Sequence, residues 1–231
     1  MNKIKGFESN LGKGVDYTLD YHETKFDKWR GDDFYRMKGM MARKNIFDFK
    51  FGENLKVLDY GCGIGQITAW IKNKHGFDIN KGLYPELKRR GFVMHDSIVK
   101  IPNNYFDEIV ISMCLEHIEN PVDLIRQLSS KLKKGGRIRL NLPSAYYGNM
   151  GNMNKSHNGH YFCWGFPDIN YLLNRCGFKV ILNKKVYRKG IDRFFPVYKY
   201  LGFKAYYNLI TFSGWLLSHN DFDIVVVGEK L

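Results

Sequence analysis

Apolar positions along the chain follow two alternating patterns. Short apolar runs, such as 105–112, are typical of buried strands, whereas apolar residues spaced by three and four, as in 121–132, are typical of amphipathic helices. Because strands and helices alternate, the pattern predicts an α/β fold. The predicted strands are 56–60, 76–80, 92–95, 105–112, 138–142, 178–186 and 222–228, and the predicted helices are 32–49, 67–74, 83–90, 121–132 and 167–175.

A glycine-rich turn follows the first predicted strand. Gly61, Gly63 and Gly65 stand at alternate positions after Asp59, and the next helical pattern begins at Ile67. Glycine lets the backbone turn tightly and lets a ligand approach closely. The N-terminus of a helix adds unpaired N–H groups and a partial positive charge. The strand, the turn and the helix together predict a nucleotide-binding unit.

The spacing of these glycines separates two kinds of nucleotide site. The dinucleotide fingerprint is G-x-G-x-x-G, whereas the third glycine here comes one position earlier. G-x-G-x-G after an acidic residue resembles the first motif of class I S-adenosylmethionine (SAM) methyltransferases. This resemblance implies a Rossmann-like sheet of seven strands, mostly parallel with the last strand antiparallel, and helices on both faces. It also implies that SAM is the cofactor.

The resemblance assigns contacts with SAM to particular residues. Asp78 follows Asp59 by about 20 residues, where a carboxylate can accept both ribose hydroxyls; because the second strand is short, Asn80 is the alternative. Asp96 would face the adenine amino group, and the backbone N–H of Ser97 would face a ring nitrogen. The implied cofactor-binding set is Asp59, Gly61, Cys62, Gly63, Gly65, Asp78, Ile79, Asp96, Ser97, Ser112 and Met113.

Two histidines are candidates for catalysis. The segment 115–117 (Leu-Glu-His) resembles the "LEH" segment of small-molecule SAM methyltransferases, which implies that His117 lies beside the methyl group. His117 is therefore a candidate general base, with a structural role in the loop as the alternative. The segment that begins at His160 resembles an element next to the active site and makes His160 the second candidate. His157 and His160 lack evident acidic or cysteine companions, and we predict no metal site.

The cysteines and the apolar runs indicate the cellular compartment. The four cysteines are not spaced as C-x-x-C, and we expect reduced thiols rather than a zinc or redox site. No apolar run approaches the length of a membrane span, and the first residues contain no signal-peptide core. We expect a cytoplasmic protein that is able to associate with a membrane surface.

The net charge suggests acidic partners. Lysine and arginine number 36 against 23 aspartate and glutamate residues, a net charge of +13. This excess is compatible with nucleic acid, anionic lipid or a phosphorylated substrate, or with a dispersed compositional bias. Modification of nucleic acid is not favoured, because the segment 113–116 lacks the Asn/Asp-Pro-Pro-aromatic loop of adenine N-methyltransferases. A SAM-binding protein without catalysis is a third hypothesis.

We predict two parts of the chain. Residues 1–53 form an N-terminal helical cap segment, in which Tyr17, Tyr21 and Trp29 are candidates to close over SAM. Residues 54–231 form the SAM-binding domain and include an aromatic insert at 190–220, whose alternatives are an acceptor pocket, a membrane surface, a dimer contact or packing on the sheet edge. The predicted activity is methyl transfer to O, N or C of a small-molecule or lipid- or sugar-linked acceptor. The sequence does not indicate an oligomeric state.

Overall fold

The structure, a computed structural model, describes residues 31–47, 54–144, 160–187, 191, 193–217 and 222–231. The strands are β1 (Val57–Tyr60), β2 (Lys74–Phe77), β3 (Val93–Met94), β4 (Phe106–Ser112), β5 (Leu132–Pro143), β6 (Phe178–Tyr187) and β7 (Phe222–Lys230). The helices are α1 (Asp32–Asn45), α2 (Tyr84–Arg89), α3 (Pro121–Lys131), α4 (Phe166–Arg175) and α5 (Phe195–Leu217). Short 3-10 helices cover Lys81–Leu83 and Leu115–His117.

The described strands form one seven-stranded sheet in the order β3-β2-β1-β4-β5-β7-β6. Neighbouring strands from β3 to β5 are parallel, whereas β7 pairs antiparallel with both β5 and β6. The last strand therefore lies inside the sheet, which explains why its β-branched run is buried. This arrangement confirms the Rossmann-like fold predicted from the sequence.

The central strands are covered on both faces. Ile109, Val110 and Ile111 of β4 are fully buried, although successive side chains of a strand point to opposite faces. Ile109 and Ile111 belong to the same core cluster as Leu124 of α3, whereas Val110 belongs to a second cluster with Ala42 of α1. Helices therefore cover both faces, as a parallel sheet requires.

The helix predicted for 67–74 is wrong. Residues 67–70 form turns, and β2 already begins at Lys74. Pairing of β2 with β1 needs extended chain from that point, which leaves too few residues for a helix. Helix α1 packs closely on these turns: a Cβ added to Gly39 of this helix would lie 3.4 Å from the Cβ of Ala69. The apolar side chains that suggested a helix pack against the end of α1.

Two strands differ from the sequence prediction in their bounds. Strand β2 ends at Phe77 rather than reaching Asn80, and Asp78 directly follows it. Strand β5 begins at Leu132, immediately after α3, rather than at Ile138. Its pairing with β4 shifts in register near Phe106, so the first part of β5 is a bulged extension. The apolar pattern located only the regular, buried part of this strand.

Helix α5 occupies the predicted aromatic insert and is interrupted at Gly202, whose φ is 77°. One side of the helix packs on α1, where Tyr206 and Ile210 cluster with Phe34 and Met37. Packing over the rest of the fold therefore accounts for part of the aromatic content. Large apolar side chains of α5 are also exposed, namely Tyr200, Leu201, Phe212, Trp215, Leu216 and Leu217.

None of the described helices combines the length and apolar character needed to cross a membrane. Contact of α5 with a membrane surface stays a prediction, and so does the division into a cap segment 1–53 and a domain 54–231. The cap residues Tyr17, Tyr21 and Trp29 lie outside the described residues.

A buried ion pair joins α1 to the sheet. Arg139 of β5 donates from Nε to Glu108 Oε2 at 2.7 Å and from a terminal nitrogen to Oε1 at 3.2 Å. The other terminal nitrogen donates to the Ile46 carbonyl, 2.9 Å away at the end of α1. Burial raises the pKa of Glu108, and the hydrogen bond and charge of Arg139 oppose that rise. Glu108 therefore holds the Arg139 side chain in place, and the hydrogen bond from Arg139 to Ile46 attaches the end of α1 to the sheet.

We expect Arg139→Met to lower the free energy of unfolding by about 3–5 kcal/mol, because it leaves the Glu108 carboxylate buried without its partner. Urea unfolding followed by circular dichroism measures this change. The double variant Glu108→Leu/Arg139→Met removes both charges and should lose clearly less stability. Equal losses in the single and double variants would contradict the assigned role of the ion pair.

Candidate active site

The glycine-rich turn closes the carboxyl end of β1. Gly61, Gly63 and Gly65 have φ values of 70°, 51° and 76°, in the left-handed region that favours glycine. The N–H groups of Gly61 and Cys62 both donate to the Phe77 carbonyl, at 2.8 and 3.2 Å. The turn that the sequence predicted is therefore tied to the end of β2.

Two of these glycines make room for protein side chains. A Cβ on Gly61 would clash with Cys114 Sγ and lie 2.9 Å from the Cys114 Cβ. A Cβ on Gly65 would lie 2.7 Å from the Phe92 ring and 2.8 Å from Leu87. The sequence argument attributed the missing Cβ atoms to the approach of a ligand. At Gly61 and Gly65 close packing within the protein is an independent reason.

Helix α1 contacts the glycine turn through Tyr35. Its phenolic hydroxyl donates to the Gly65 carbonyl at 2.8 Å, and the Arg90 guanidinium lies 4.0 Å from the centre of its ring. Burial raises the pKa of Tyr35, so the phenol keeps its proton. Sequence reasoning missed this residue, although it lies within the predicted helix 32–49.

Asp59 and Asp78 lie on either side of the glycine turn. Asp59 is 1% exposed, and the Thr68 hydroxyl donates to its Oδ2 at 2.8 Å. Burial raises the pKa of Asp59, the hydrogen bond from Thr68 opposes this rise and the charge of Asp78 adds to it, so that the pKa is about 7. Asp78 accepts the Gly63 N–H at 2.7 Å and the Asn80 N–H at 2.8 Å.

Asn80, the alternative to Asp78, has a local structural role. Its side-chain oxygen accepts the Gly82 N–H at 3.1 Å and caps the 3-10 helix that follows β2. Asp78 instead contacts the glycine turn directly. These contacts favour Asp78 as the residue that would bind the ribose hydroxyls, and that role stays a prediction.

Ile79, from the predicted cofactor-binding set, follows β2, and Asp96 and Ser97, predicted to face adenine, follow β3. Ile79 is 41% exposed, Asp96 is exposed and Ser97 is half-buried. The Tyr84 hydroxyl lies within hydrogen-bond distance of the carbonyls of Asp78 and His95, both 2.9 Å away, and so joins the two loops. A cleft of about 340 Å³ opens beside Asp96 and Ser97 and is also lined by Met94, His95, Lys100, Ile101, Pro102 and Tyr105.

Ser112 and Met113 end strand β4. The Asn141 side chain donates to Ser112 Oγ at 2.9 Å, and the Met113 N–H donates to the Asn141 carbonyl at 2.8 Å. Met113 has a φ of 51°, a strained conformation for a non-glycine residue that neighbouring contacts must maintain. The hydrogen bond to β5 provides such a contact, and Met113 is left partly exposed at the edge of the sheet.

The structure brings the two candidate catalytic histidines together with Glu116. The carbonyl of Glu116 accepts the Tyr161 N–H at 2.8 Å, which places His160 beside the 3-10 helix. The His117 and His160 rings meet edge to face with centroids 4.6 Å apart. Glu116 Oε1 lies 4.0 Å from His117 Nε2. We call Glu116, His117 and His160 the histidine–glutamate cluster.

Glu116 was not predicted as a site residue. Its side chain is 1% exposed, and burial raises its pKa to about 7. The "LEH" segment was the signal that pointed to this position. The sequence did not indicate that His160 lies next to Glu116 and His117, because the segment before His160 has no regular pattern of apolar positions. His157 lies outside the described residues.

Comparison with known proteins places the chain in a family. The family model described as "Methyltransferase domain" matches residues 24–183, well over half of the chain. The chain belongs to this methyltransferase family. Its fold and its family together identify it as a SAM-dependent methyltransferase.

The chain is similar to individual proteins of several organisms. The methyltransferase is 24% identical over 185 residues to an uncharacterised protein of Methanocaldococcus jannaschii, covering 76% of this chain and 87% of that protein. It is 26% identical over 152 residues to phosphoethanolamine N-methyltransferase 2 of Caenorhabditis elegans, covering 58% of this chain but about a third, 34%, of that enzyme. A solved SAM-dependent methyltransferase of Archaeoglobus fulgidus superposes with a TM-score of 0.63 at 20% identity, covering 91% and 100% of the two chains.

The described residues fit SAM. The left-handed glycine turn, the buried Asp59 and the Asp78 carboxylate meet at the carboxyl ends of β1 and β2, where α/β sheets bind ligands. SAM carries positive charge on its sulfur and amino groups. Asp59 is a buried side chain whose hydrogen-bond donor in the described part of the chain is the neutral hydroxyl of Thr68. Asp59 is therefore suited to the cationic part of SAM, and this contact stays a prediction.

We expect Gly61→Ala to lower the free energy of unfolding by about 2–5 kcal/mol, the sum of a left-handed alanine and an overpacked contact with Cys114. Gly61→Ala/Cys114→Gly removes the clash but not the backbone cost. Urea unfolding of both single variants and of the double variant gives the coupling energy. We expect the double variant to be about 1–3 kcal/mol more stable than the sum of the two single changes predicts. A coupling energy near zero would contradict the close contact.

We expect the affinity for SAM to depend on the proton of Asp59. Below pH 7 the ligand-free protein keeps this proton, and a positively charged cofactor must displace it. The affinity should be full above pH 7 and should fall by up to about tenfold per pH unit below it. Titration calorimetry between pH 5.5 and 8.5, in buffers with different ionisation enthalpies, measures both the affinity and the protons released.

Asp59→Asn is the matched control for this pH dependence. An asparagine oxygen can still accept the Thr68 hydrogen bond but does not titrate. We expect weaker SAM binding at pH 8 and a much flatter pH profile. An unchanged slope in this variant would assign the pH dependence to another group.

Proposed function

We propose that this methyltransferase transfers the methyl group of SAM to a nucleophilic oxygen, nitrogen or carbon of a small-molecule acceptor that lies against His117 and His160. The observation that carries the proposal is the contact between Gly61 and Cys114. It makes the loop after β4 a direct neighbour of the turn predicted to bind SAM.

The position of the histidines follows from this contact. The backbone N–H of His117 donates to the Cys114 carbonyl at 3.0 Å. A single 3-10 turn therefore separates His117 from the residue that contacts Gly61. His160 reaches the same place through the hydrogen bond between Tyr161 and Glu116. Two imidazoles therefore lie at the carboxyl edge of β4, beside the predicted cofactor site.

The chemistry requires mainly positioning. When bound, SAM supplies a methyl group on a positively charged sulfur. Imidazole nitrogens can hydrogen-bond the nucleophilic atom of the acceptor and orient its lone pair, and orientation alone can provide a large part of the rate. The proposal therefore assigns His117 and His160 to the acceptor, and Asp59 and Asp78 to the cofactor.

Two further observations support a small, acidic acceptor. One relative of this chain is a phosphoethanolamine N-methyltransferase, whose name indicates a small phosphorylated acceptor. The net charge of +13 would favour an anionic compound of this kind. The same net charge is also compatible with nucleic acid as the acceptor. The exposed apolar side chains of α5 are compatible with a lipid-linked acceptor.

Methyl transfer from tritium-labelled SAM tests the class of acceptor. The full-length protein is incubated separately with phosphoethanolamine, with the fraction of a cell extract below 1 kDa, with bulk tRNA and with a lipid extract. Label in water-soluble small products is the expected result. Label recovered mainly in tRNA would overturn the proposal, and label in the lipid phase would move it to a lipid-linked acceptor.

His117→Ala and His160→Ala test the assigned positions. Each should lower turnover of the labelled acceptor on the order of 10²- to 10⁴-fold, while the SAM dissociation constant from calorimetry changes by less than about threefold. Cys163→Ser, an exposed thiol on the same segment as His160, is the control and should resemble the unsubstituted protein. Parallel losses of SAM affinity and turnover would instead indicate that the histidines only support the loop.

A further inference from the structure

We propose that the histidine–glutamate cluster is a binding site for a divalent transition-metal ion. Glu116, His117 and His160 each offer one possible ligand atom, and these atoms all lie within 4.8 Å of one another. No acidic or cysteine companion of His160 is evident in the sequence around it. The fold supplies them from the loop after β4.

The donor atoms match a known ligand set. Two imidazole nitrogens and one carboxylate oxygen suit zinc or another first-row transition ion, whereas magnesium and calcium prefer oxygen ligands. With bonds of about 2.0–2.2 Å, ligand atoms around one ion are roughly 3–3.5 Å apart. The cluster would need to close by about 1–2 Å, which small side-chain rotations can provide.

A second observation points to a ligand at this place. The Glu116 side chain is 98–99% buried, and its Oε2 has no hydrogen-bond partner within the part of the chain that the structure describes. Burial of a carboxylate oxygen without a partner is costly. A cation bound between the carboxylate and the imidazoles would satisfy this oxygen.

The backbone around the cluster is held by hydrogen bonds. The carbonyl of Glu116 accepts the Tyr161 N–H, and an isolated β-bridge pairs Trp164, four residues after His160, with Ser144, which directly follows β5. The ligands therefore come from two loops that are attached to each other. Such preorganisation lowers the cost of ordering side chains around an ion.

The ion would deepen the proposed function, on which this step rests. Three protein ligands leave coordination positions open for the hydroxyl oxygen of an acceptor. Coordination lowers the pKa of a hydroxyl, whose proton passes to water. The lone pair of the acceptor then forms the bond to the methyl carbon, and the carbon–sulfur bond breaks with its electron pair going to sulfur.

Metal binding by the full-length protein tests the site without any acceptor. The protein is treated with EDTA, freed of chelator, and titrated with Zn²⁺ by calorimetry and with Co²⁺ by its visible absorption. We expect one ion per chain and a Co²⁺ spectrum of nitrogen and oxygen ligands. Mg²⁺ at the same concentrations should not compete.

Substitution of the ligands locates the ion. His117→Ala, His160→Ala and the conservative Glu116→Gln should each lose stoichiometric binding, with folding checked by circular dichroism. Cys163→Ser, which removes an exposed thiol close to His160 in sequence, should retain it. Absence of stoichiometric binding by the unsubstituted protein would overturn the proposal, and so would unchanged binding in both histidine variants.

The metal site and the proposed function can fail separately. If the ion binds to the cluster but no small-molecule acceptor is methylated, the proposed function fails and the site stands. If methyl transfer to a small acceptor is unaffected by complete removal of the ion, the catalytic role of the metal is wrong and the methyltransferase assignment stands.

Discussion

The contact between the glycine turn and the loop after β4 is the constraint on which the site depends. Gly61 has no room for a Cβ because Cys114 fills that space. The same residue needs a left-handed backbone to let its N–H group donate to the end of β2. One glycine therefore brings together the predicted cofactor loop and the loop that leads to His117. Any side chain at this position would separate the two halves of the site.

Helix α1 supports the glycine turn from the other side. Tyr35 donates to the Gly65 carbonyl, and the end of the helix is tied to the sheet through Arg139 and its partner Glu108. A helix outside the central sheet thus determines where the turn lies. This role also explains why residues 67–70 need not form a helix: α1 covers the surface that such a helix would occupy.

Local patterns predicted much of the fold, because buried strands and left-handed turns leave local signals. Val57 and Leu58 before three alternating glycines indicated the first strand and its turn, and the β-branched run at β7 indicated a buried strand. Contacts between distant segments left no such signal. Tyr35 resembled any other aromatic residue of an amphipathic helix, and nothing in the irregular segment before His160 showed that it pairs with Glu116.

Two buried carboxylates remain to be explained, one on each side of the Gly61–Cys114 contact. Asp59 has a hydrogen bond from Thr68, and Glu116 has one oxygen without a partner in the described chain. Neither arrangement would be selected for stability, because burying a carboxylate without a compensating cation is unfavourable. Asp59 faces the region predicted for the cationic part of SAM, whereas Glu116 faces two imidazoles. Bound cations at these two places would offset the unfavourable burial, which favours a ligand-binding role for both carboxylates.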